Sequence, residues 1–444
     1  MALKTFFGGV HPKDFKSYSK DSKLEQMPLP AKVIISLSQH IGGLSSPIVK
    51  IGDLVKTGQK IAEPSGFISI AMHSSISGKV KSIDRFAHPS GSIVTGIEIE
   101  SDGKDEWIDL IDEKDYLSLS VEEMRQRVAD AGVCGLGGAG FPTHVKLSPP
   151  KDVIIDTVLV NGVECEPYLT ADYRLMLEKP FEVVEGLKIV MKILGAKYGI
   201  IGIEENKPDA IKILSELVKN EPSIRVDSLK LKYPQGAEKQ LIYATTKRKV
   251  PNKGGLPSAV NVAVDNVGTA VAVYEAVRYK KPLIDRVVTV TGSIVKKPSN
   301  LVCRIGTCFS ELLSHCQGTS EPIAKVISGG PMMGFAINSI EVPVTKASSG
   351  LVLLNEKEAK ADQEYTCLRC GRCVDVCPLN LMPSFIASAV KYDDLAMAEK
   401  SGAMDCMKCG CCAFVCPAHI KLIQWIDIGK NKITALRRTK QKIN

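Results

Sequence analysis

Two groups of cysteines carry the clearest chemical signal in this chain of 444 residues. Each group has the spacing C-x2-C-x2-C-x3-C followed by proline, namely Cys367, Cys370, Cys373 and Cys377 in the first, and Cys406, Cys409, Cys412 and Cys416 in the second. Two-residue gaps let three thiolates wrap one face of a cuboidal iron–sulfur cluster, while the fourth cysteine points away toward another cluster. The duplicated spacing therefore predicts two [4Fe–4S] clusters.

The same rule predicts that each cluster takes its fourth ligand from the other motif. We expect one cluster to be held by Cys367, Cys370, Cys373 and Cys416, and the other by Cys377, Cys406, Cys409 and Cys412. Structural zinc is less consistent with this pattern, because it favours two C-x2-C pairs separated by a longer loop. Disulfides are also less consistent, since residues 1–10 have no signal-peptide features and cytosolic thiols stay reduced.

The six other cysteines match no metal template and are expected to fill the protein interior as small apolar side chains. They are Cys134, Cys165, Cys303, Cys308, Cys316 and Cys411. Between the two cluster motifs, residues 383–399 have apolar side chains at helical spacing, which predicts a helix that brings the motifs together.

A second candidate site is the glycine-rich stretch from Gly135 to Gly140, which satisfies G-x-G-x-x-G. In an ordinary dinucleotide-binding fold a strand comes directly before this pattern. Here a helix precedes it, because Ser120 and Glu123 form a capping box and apolar residues follow at helical spacing. The pattern alone leaves two interpretations open, a cofactor loop and a tight connection.

The segments after the glycine loop alternate between strand and helix patterns. Strands are predicted over residues 153–160, 198–203 and 223–230, and helices over 171–194 and 207–219. This alternation favours a parallel sheet with helices on both faces.

Four ordered segments resemble the flavin and NADH segments of the complex I flavoprotein family: G-L-G-G-A-G-F-P-T-H-V-K at 135–146, N-G-V-E-C-E-P at 161–167, Y-P-Q-G-A-E at 233–238 and D-N-V-G-T at 265–269. The resemblance implies that FMN is surrounded by Gly135, Gly137, Lys146, Asn161, Glu164, Tyr233, Gly236 and Asn266. It implies that the nicotinamide dinucleotide is faced by Phe141, Glu166, Glu238, Lys253 and Thr269. No catalytic side chain is expected, because FMN itself transfers the hydride.

Several positions depart from the family pattern. Leu136, Val163, Ala237, Asp265 and Leu256 replace an arginine, an aspartate, a glutamate, an asparagine and an aromatic residue, respectively. Binding of FMN is therefore a firmer expectation than tight binding of NADH, and a scaffold with a degenerate flavin site stays open as an alternative.

The expected fold class is a multidomain α/β protein. After an N-terminal segment (residues 1–30), it comprises a first module (31–100) resembling a barrel-sandwich hybrid, and a second module (101–283) with a Rossmann-like α/β fold that binds FMN and NADH. A third module (284–346) resembles a β-grasp domain of the SLBB type, and a fourth module (347–428) resembles an α-helical two-[4Fe–4S] ferredoxin domain, followed by a basic tail (429–444). Residues 64–74 contain no lysine, so the first module is expected to be architectural and not a swinging carrier.

This order of modules, with F-F-G-G-V-H-P at residues 6–12, is similar to the C subunit of the Rnf complexes, the ferredoxin:NAD oxidoreductases that pump ions. Membership would imply an NADH-dependent flavin and iron–sulfur oxidoreductase subunit, peripheral on the cytoplasmic face of the inner membrane. Its partners would be the other Rnf membrane and iron–sulfur subunits, with ferredoxin as an indirect partner and Na⁺ or H⁺ translocation in other subunits. A cobalamin reductase of propanediol utilisation is an alternative, although it carries the barrel-sandwich hybrid at its C-terminus.

The net charge of +8 is concentrated at the C-terminus, because residues 421–444 contain seven basic residues and one acidic residue. Two interpretations stay open for this region, a solvated terminus and a surface that docks on anionic lipid or on membrane subunits. Its apolar and basic residues alternate in a partly amphipathic pattern that Gly429 is expected to interrupt. Nucleic-acid binding is disfavoured, since Trp425 is the only aromatic residue among these basic side chains.

Overall fold

The computed structural model of the chain describes residues 3–138 and 140–443. Met1 and Ala2 of the N-terminal segment, Ala139 of the glycine loop and Asn444 of the basic tail lie outside the described residues.

The N-terminal segment runs along the second and fourth modules before it enters the first. Lys4 pairs with Leu229 and Val10 pairs with Tyr233, both in the second module. On the other side, the backbone N–H of Gly9 donates a 2.8 Å hydrogen bond to the carbonyl of Val376 in the fourth module. The segment therefore lies between two modules that are far apart in the sequence.

Two small sheets form the first module. Strand β1 (Leu24–Gln26) lies in the N-terminal segment and outside these two sheets. The strands of the first module are β2 (Lys32–Ser36), β3 (Ser46–Pro47), β4 (Leu54–Val55), β5 (Lys60–Glu63), β6 (Met72–His73), β7 (Gly78–Ala87) and β8 (Ile93–Ser101). Strands β2, β8, β7 and β4 form one antiparallel sheet, and β3, β5 and β6 form the other. Val33 and Ile35 of β2 and Ile97 and Ile99 of β8 are buried in a core that continues into the second module.

The second module contains a four-stranded parallel sheet. Its elements are α1 (Val121–Asp130), α2 (Thr143–Lys146), β9 (Thr157–Asn161), α3 (Ala171–Glu178), α4 (Pro180–Leu194), β10 (Tyr198–Glu204), α5 (Pro208–Leu217), β11 (Ile224–Leu229), α6 (Glu238–Thr246), β12 (Val262–Asn266) and α7 (Val267–Tyr279). The strand order is β11-β10-β9-β12, with every pair parallel. The predicted alternation of strand and helix around a parallel sheet is confirmed.

Local signals account for most of these boundaries. The Ser120 hydroxyl accepts a 3.1 Å hydrogen bond from the N–H of Glu123, so α1 begins at the predicted cap. The helix predicted over residues 171–194 is divided into α3 and α4, because Pro180 disfavours a helical conformation at Lys179 and starts the second helix. The predicted strand over 153–160 is shorter and later than expected, at Thr157–Asn161.

A six-stranded sheet extends beyond the predicted limits of the third module. The elements here are β13 (Asp285–Thr291), β14 (Ser299–Arg304), α8 (Phe309–His315), β15 (Lys325–Ser328), β16 (Phe335–Ile337), β17 (Gly350–Leu354) and α9 (Glu356–Ala359). The strand order is β1-β14-β13-β17-β15-β16. The predicted boundaries after residues 30 and 346 therefore need correction, since β1 and the fully buried β17 lie in this sheet.

Short helices around the cysteine motifs build the fourth module. They are α10 (Arg372–Asp375), α11 (Pro383–Lys391), α12 (Leu395–Lys400), α13 (Cys411–Phe414) and α14 (Leu422–Ile443). The single helix predicted over 383–399 is two helices, because Asp394 caps the start of α12 by accepting a 2.9 Å bond from the N–H of Met397. Ile386, Val390, Ile426 and Ile433 share one buried core.

The helix α14 corrects the prediction for the basic tail. It continues through Gly429 without interruption. A β-carbon at Gly429 would lie 2.4 Å from Cγ2 of Val390, so glycine is needed where α14 crosses α11. Basic side chains beyond this point pair with acids of the fourth module, Lys432 with Asp393 and Arg437 with Glu399. Within the described residues, no helix is both long enough and apolar enough to cross a membrane.

Candidate functional site

The glycine loop lies over the N-terminal end of α7. The N–H of Gly135 donates a 2.8 Å bond to the carbonyl of Phe141, which closes the loop, and the N–H of Leu136 donates a 3.0 Å bond to the hydroxyl of Thr269. A β-carbon at Gly137 would lie 2.8 Å from the side chain of Asn266. Glycine is therefore required at 137 by a close approach to Asn266.

Asn266 connects the glycine loop to α3. Its Oδ1 accepts a 2.8 Å bond from the N–H of Gly268 and caps α7, and its Nδ2 donates a 2.6 Å bond to Oδ2 of Asp172. The amide group is thus fixed in orientation by two partners.

Lys146 already has an acidic partner. Its ammonium group donates a 2.7 Å bond to Oδ1 of Asp265 and a 2.6 Å bond to the carbonyl of Val264. The side chain of Asp265 is 1% exposed and that of Lys146 is 22% exposed. The positive charge expected to face a phosphate is therefore compensated by a buried carboxylate.

Two predicted flavin segments are joined at the carboxyl end of β9. Asn161 donates a 2.7 Å bond from Nδ2 to the carbonyl of Gly236 and accepts a 3.2 Å bond from the N–H of Val163. The N–H of Gly236 donates to the Cys165 sulfur at 3.3 Å. Ligands bind outside the carboxyl ends of parallel strands in folds of this kind, so these segments occupy the expected edge of the sheet.

One carboxylate oxygen of Glu164 accepts a hydrogen bond, and the other, called here the open oxygen, has no donor. Its Oε1 accepts a 2.7 Å bond from the N–H of Asp172, whereas Oε2 is buried without a hydrogen-bond donor. The closest charge is the ammonium of Lys16, 3.7 Å from Oε2. Burial raises the pKa of Glu164 to about 7, against the opposing charge of Lys16. An open buried acceptor fits a ligand that brings its own N–H or O–H donors, as FMN does.

The carboxylate of Glu166 accepts hydrogen bonds from a loop of the third module. Its two carboxylate oxygens accept backbone N–H bonds from Met332 (3.1 Å) and Met333 (2.8 Å). Burial raises its pKa to about 7, although the two N–H groups act in the opposite direction. The loop at residues 328–334 thus reaches the edge of the predicted flavin site.

The other residues predicted to face the dinucleotide lie in different surroundings. Thr269 is fully buried beneath the glycine loop. Phe141 is half-buried, and Glu238 is exposed at the first turn of α6. Lys253 is exposed and its backbone N–H donates to Asp405 of the fourth module. A dinucleotide site at these residues stays a prediction.

Tyr233 joins the predicted flavin site to the fourth module. Its side chain is almost fully buried, and its hydroxyl donates a 2.8 Å bond to the carbonyl of Cys409. The Cys411 sulfur lies 3.9 Å from the Tyr233 carbonyl. Burial strongly raises the pKa of Tyr233, so the phenol stays protonated and acts as a donor.

Four predicted cluster ligands line one apolar cavity. Cys377 of the first motif lies there with three cysteines of the second motif, Cys406, Cys409 and Cys412, among leucine and isoleucine side chains. Backbone N–H groups point at two of the sulfurs, from Leu381 to Cys377 at 3.3 Å and from Lys408 to Cys406 at 3.4 Å. An apolar wall, four thiols and N–H donors to sulfur fit an iron–sulfur cluster.

The other four predicted ligands are more open. Cys367 and Cys370 are exposed in a segment without regular structure, and Cys373 and Cys416 are half-buried beside the core of the fourth module. Among residues 3–138 and 140–443, no three His, Cys, Asp or Glu side chains are grouped as ligands of a single metal ion. Of the six remaining cysteines, five are buried and Cys165 is half-buried.

Sequence analysis missed Lys16 and Asp172. Lys16 is buried, and it donates from its ammonium group to the carbonyls of Glu166 (3.0 Å) and Leu169. No local pattern distinguishes Lys16 from the exposed lysines at 13 and 20. Its partners lie about 150 residues away, so only the folded chain reveals the contact.

Family models match four parts of the chain. They are the RnfC barrel sandwich hybrid domain at residues 4–104, the Nuo51 FMN-binding domain at 128–275, the SLBB domain at 287–336 and the 4Fe-4S dicluster domain at 359–417. These matches and the observed sheets confirm a multidomain α/β layout. They also confirm FMN and two iron–sulfur clusters as the cofactors of these domain types.

Curated relatives match nearly the whole chain. The C subunit of the proton-translocating ferredoxin:NAD(+) oxidoreductase complex of Clostridium ljungdahlii is 47% identical over 96% of this chain and 93% of that protein. The C subunit of the Na(+)-translocating complex of Acetobacterium woodii is 46% identical over 98% of both chains. The C subunit of the ion-translocating oxidoreductase complex of Rhodobacter capsulatus is 40% identical over 98% of this chain and 84% of that protein.

Among solved structures, a chain of an air-oxidized NAD+-reducing [NiFe]-hydrogenase matches 70% of this chain and 66% of its own length. The TM-score is 0.51 and the sequence identity is 15%, so this likeness concerns the fold alone.

Proposed function

The chain belongs to the RnfC family, the C subunits of the ion-translocating ferredoxin:NAD(+) oxidoreductase (Rnf) complexes. From this premise we propose that it exchanges hydride with NAD(H) at FMN and passes single electrons through two [4Fe–4S] clusters. When bound, FMN supplies the conversion between a two-electron hydride and the single electrons that a cluster accepts. Translocation of Na⁺ or H⁺ belongs to other subunits of the complex.

The contact between Tyr233 and Cys409 carries this proposal. One partner lies in a segment predicted to surround FMN, and the other is a predicted cluster ligand. Electrons that pass between a flavin and a cluster need a short, dry path, and this buried junction offers one. The cluster held by Cys377, Cys406, Cys409 and Cys412 is accordingly the one adjacent to the flavin.

In this proposal the residues of the second module bind and orient FMN and NAD(H). Asn161, Asn266 and the glycine loop fix the shape of the flavin site, and Glu164 offers an open acceptor. For Glu166 to contact a dinucleotide, it would have to leave the N–H groups of Met332 and Met333. The roles of Phe141, Glu166, Glu238, Lys253 and Thr269 toward NAD(H) are part of the proposal.

The exposure of Cys367 and Cys370 suggests where the partner subunits supply or remove electrons. The cluster of the first motif would then face other Rnf subunits, with ferredoxin as an indirect partner. We place the chain at the cytoplasmic face of the membrane as a peripheral subunit, where α14 extends its basic residues. The side chains of Lys432 and Arg437 already pair with acids, which leaves a smaller free charge for lipid than the sequence suggests.

One observation favours a second candidate, an electron-transfer scaffold with a degenerate flavin site. The ammonium of Lys146 is held by Asp265 at 2.7 Å, so a phosphate would compete with a buried carboxylate for it. In this case the clusters would form but flavin would bind weakly.

Purification of the full chain with reconstituted clusters decides between the two. We expect about eight iron atoms and about one FMN per chain, together with NADH-dependent reduction of an artificial acceptor such as ferricyanide. Iron at this level without FMN and without NADH oxidation would support the scaffold and overturn the hydride-exchange proposal.

A further inference from the structure

The N-terminal segment contacts the predicted flavin loop at residues 164–170 through several residues between positions 14 and 19. Phe15 stacks on Tyr168 with ring centroids 4.6 Å apart, and the Ser19 hydroxyl lies 2.7 Å from that of Thr170. The N–H of Tyr168 donates a 2.7 Å bond to the carbonyl of Asp14. Residues 14–19 lie outside the match to the FMN-binding family model, which covers residues 128–275. The sequence patterns did not assign them to the flavin site either.

Lys16 is the charged residue of this contact. Its side chain is 7% exposed, and its ammonium donates to the carbonyls of Glu166 and Leu169. Both carbonyls belong to the predicted flavin loop. In this loop Glu164 and Tyr168 have positive φ angles, +48° and +71°, in the left-handed region. Such angles are uncommon for residues other than glycine and persist only where the surroundings fix them. Lys16 supplies two of the fixing bonds.

The same ammonium lies 3.7 Å from Oε2 of Glu164, the oxygen that has no hydrogen-bond donor. Three charged groups face Glu164 from the surrounding elements: Lys16 from the N-terminal segment, Asp172 from α3 and Lys207 from the turn before α5. The Lys207 ammonium donates to the carbonyl of Val163 at 2.7 Å and lies 3.5 Å from Glu204. Lys207 is thus shared with another carboxylate, whereas no other carboxylate among the described residues lies within ion-pair distance of the Lys16 ammonium.

We propose that Lys16 is a positioning residue of the flavin site, which holds the loop at 164–170 in place and places a positive charge beside the open oxygen of Glu164, the acceptor for FMN. This inference rests on the proposed function, since it assumes that FMN binds beside Glu164. The flavin site would then include part of the N-terminal segment, which contacts the second module although the two are separated in the sequence by the first module.

Four forms of the full chain test the proposal: the wild type, Lys16→Met, Lys16→Gln and Lys20→Met. Lys20 is exposed and four residues from Lys16, so its variant is the matched control. FMN binding is measured by fluorescence titration from pH 6 to 8.5, and hydrogen exchange is measured for the peptide covering residues 163–171. Circular dichroism shows whether each variant is folded.

We expect Lys20→Met to match the wild type and Lys16→Met to bind FMN at least about tenfold more weakly, with faster exchange in residues 163–171. Lys16→Gln keeps a donor for the carbonyls but loses the charge. Because the charge of Lys16 lowers the pKa of Glu164, its loss should move the midpoint of FMN binding to higher pH, a shift that a purely structural role would not produce. If Lys16→Met does not fold, Lys16→Gln carries the test.

Unchanged affinity and an unchanged pH midpoint in both Lys16 variants would overturn the proposal while leaving the proposed function intact. A wild-type chain that binds no FMN would instead overturn the proposed function, and with it the flavin role of Lys16. Hydrogen exchange then still reports whether Lys16 holds the loop.

Discussion

The hydroxyl of Tyr233 donates a 2.8 Å hydrogen bond to the backbone carbonyl of Cys409, so a residue predicted to flank FMN contacts the peptide of a predicted cluster ligand. The two residues are 176 positions apart in the chain. Val10 of the N-terminal segment pairs with Tyr233 and shares a buried cluster with both residues. The junction between the second and fourth modules is therefore closed by a third part of the chain.

Tyr233→Phe should lower the free energy of unfolding by about 1–2 kcal/mol, because the buried carbonyl of Cys409 loses its donor. Denaturant unfolding of the cluster-loaded chain measures the change. Tyr243→Phe, at a half-buried tyrosine of α6, is the control and should have a smaller effect. Equal stability of Tyr233→Phe and the wild type would show that the hydrogen bond does not support the junction.

Cys377→Ser should disturb the cluster of the second motif, since Cys377 lines the cavity that contains Cys406, Cys409 and Cys412. Iron quantitation and EPR of the reduced protein detect which cluster is altered. Cys411→Ser is a matched control, because Cys411 lines the same cavity but is not a predicted ligand. A loss confined to the cluster of the first motif would show that the cross-ligation is wrong.

Glu164→Gln should change how stability depends on pH. Burial raises the pKa of Glu164 from 4.5 to about 7, so the folded chain holds a proton that the unfolded chain releases between these values. The contribution of this residue to the free energy of unfolding therefore falls as pH rises from 4.5 to 7, by roughly 3 kcal/mol, and levels off above that range.

Unfolding curves recorded at several pH values for the wild type and for Glu164→Gln give this contribution as a difference. The exposed Glu364→Gln serves as the control and should leave the pH dependence as it is in the wild type. A difference between wild type and Glu164→Gln that stays constant from pH 4.5 to 8 would contradict the raised pKa of the buried Glu164 carboxyl.

Asp265→Asn should strengthen FMN binding, because it frees the ammonium of Lys146 for the phosphate. A tenfold gain corresponds to about 1.4 kcal/mol, which is within the range of a charge-assisted hydrogen bond. Fluorescence titration measures the affinity, with Asp84→Asn in the first module as the control. If Asp265→Asn binds FMN no better than the wild type, the ion pair does not limit the site and the scaffold interpretation loses its main support.

Gly429→Ala should destabilise the fourth module although alanine is the better helix former. The gain in helix propensity is about 1 kcal/mol, whereas a β-carbon placed 2.4 Å from Val390 forces the two helices apart, at a cost of about 1–3 kcal/mol. Thermal unfolding measures the net loss, and the double variant with Val390→Ala should recover part of it. Stabilisation by Gly429→Ala alone would show that α14 and α11 do not pack as described.

Features that depend on neighbours within a few residues could be predicted from the amino-acid sequence alone. The two cysteine motifs, the cap of α1 at Ser120 and the alternation that builds β9, β10 and β11 into a parallel sheet follow from spacing and periodicity, which the chain carries locally. Errors at this level were local as well, such as the break at Pro180.

Groups that are distant in the sequence come to share a site only in the folded chain. Lys16 and Glu166 are 150 residues apart, and Glu166 and Met332 are 166 apart, so no local pattern relates them. The placement of β17 inside the sheet of the third module and the need for glycine at 429 arise in the same way, from packing against elements elsewhere in the chain. A buried charge or a close helix crossing is stabilised only when its partners are in place, and those partners are assembled by the fold.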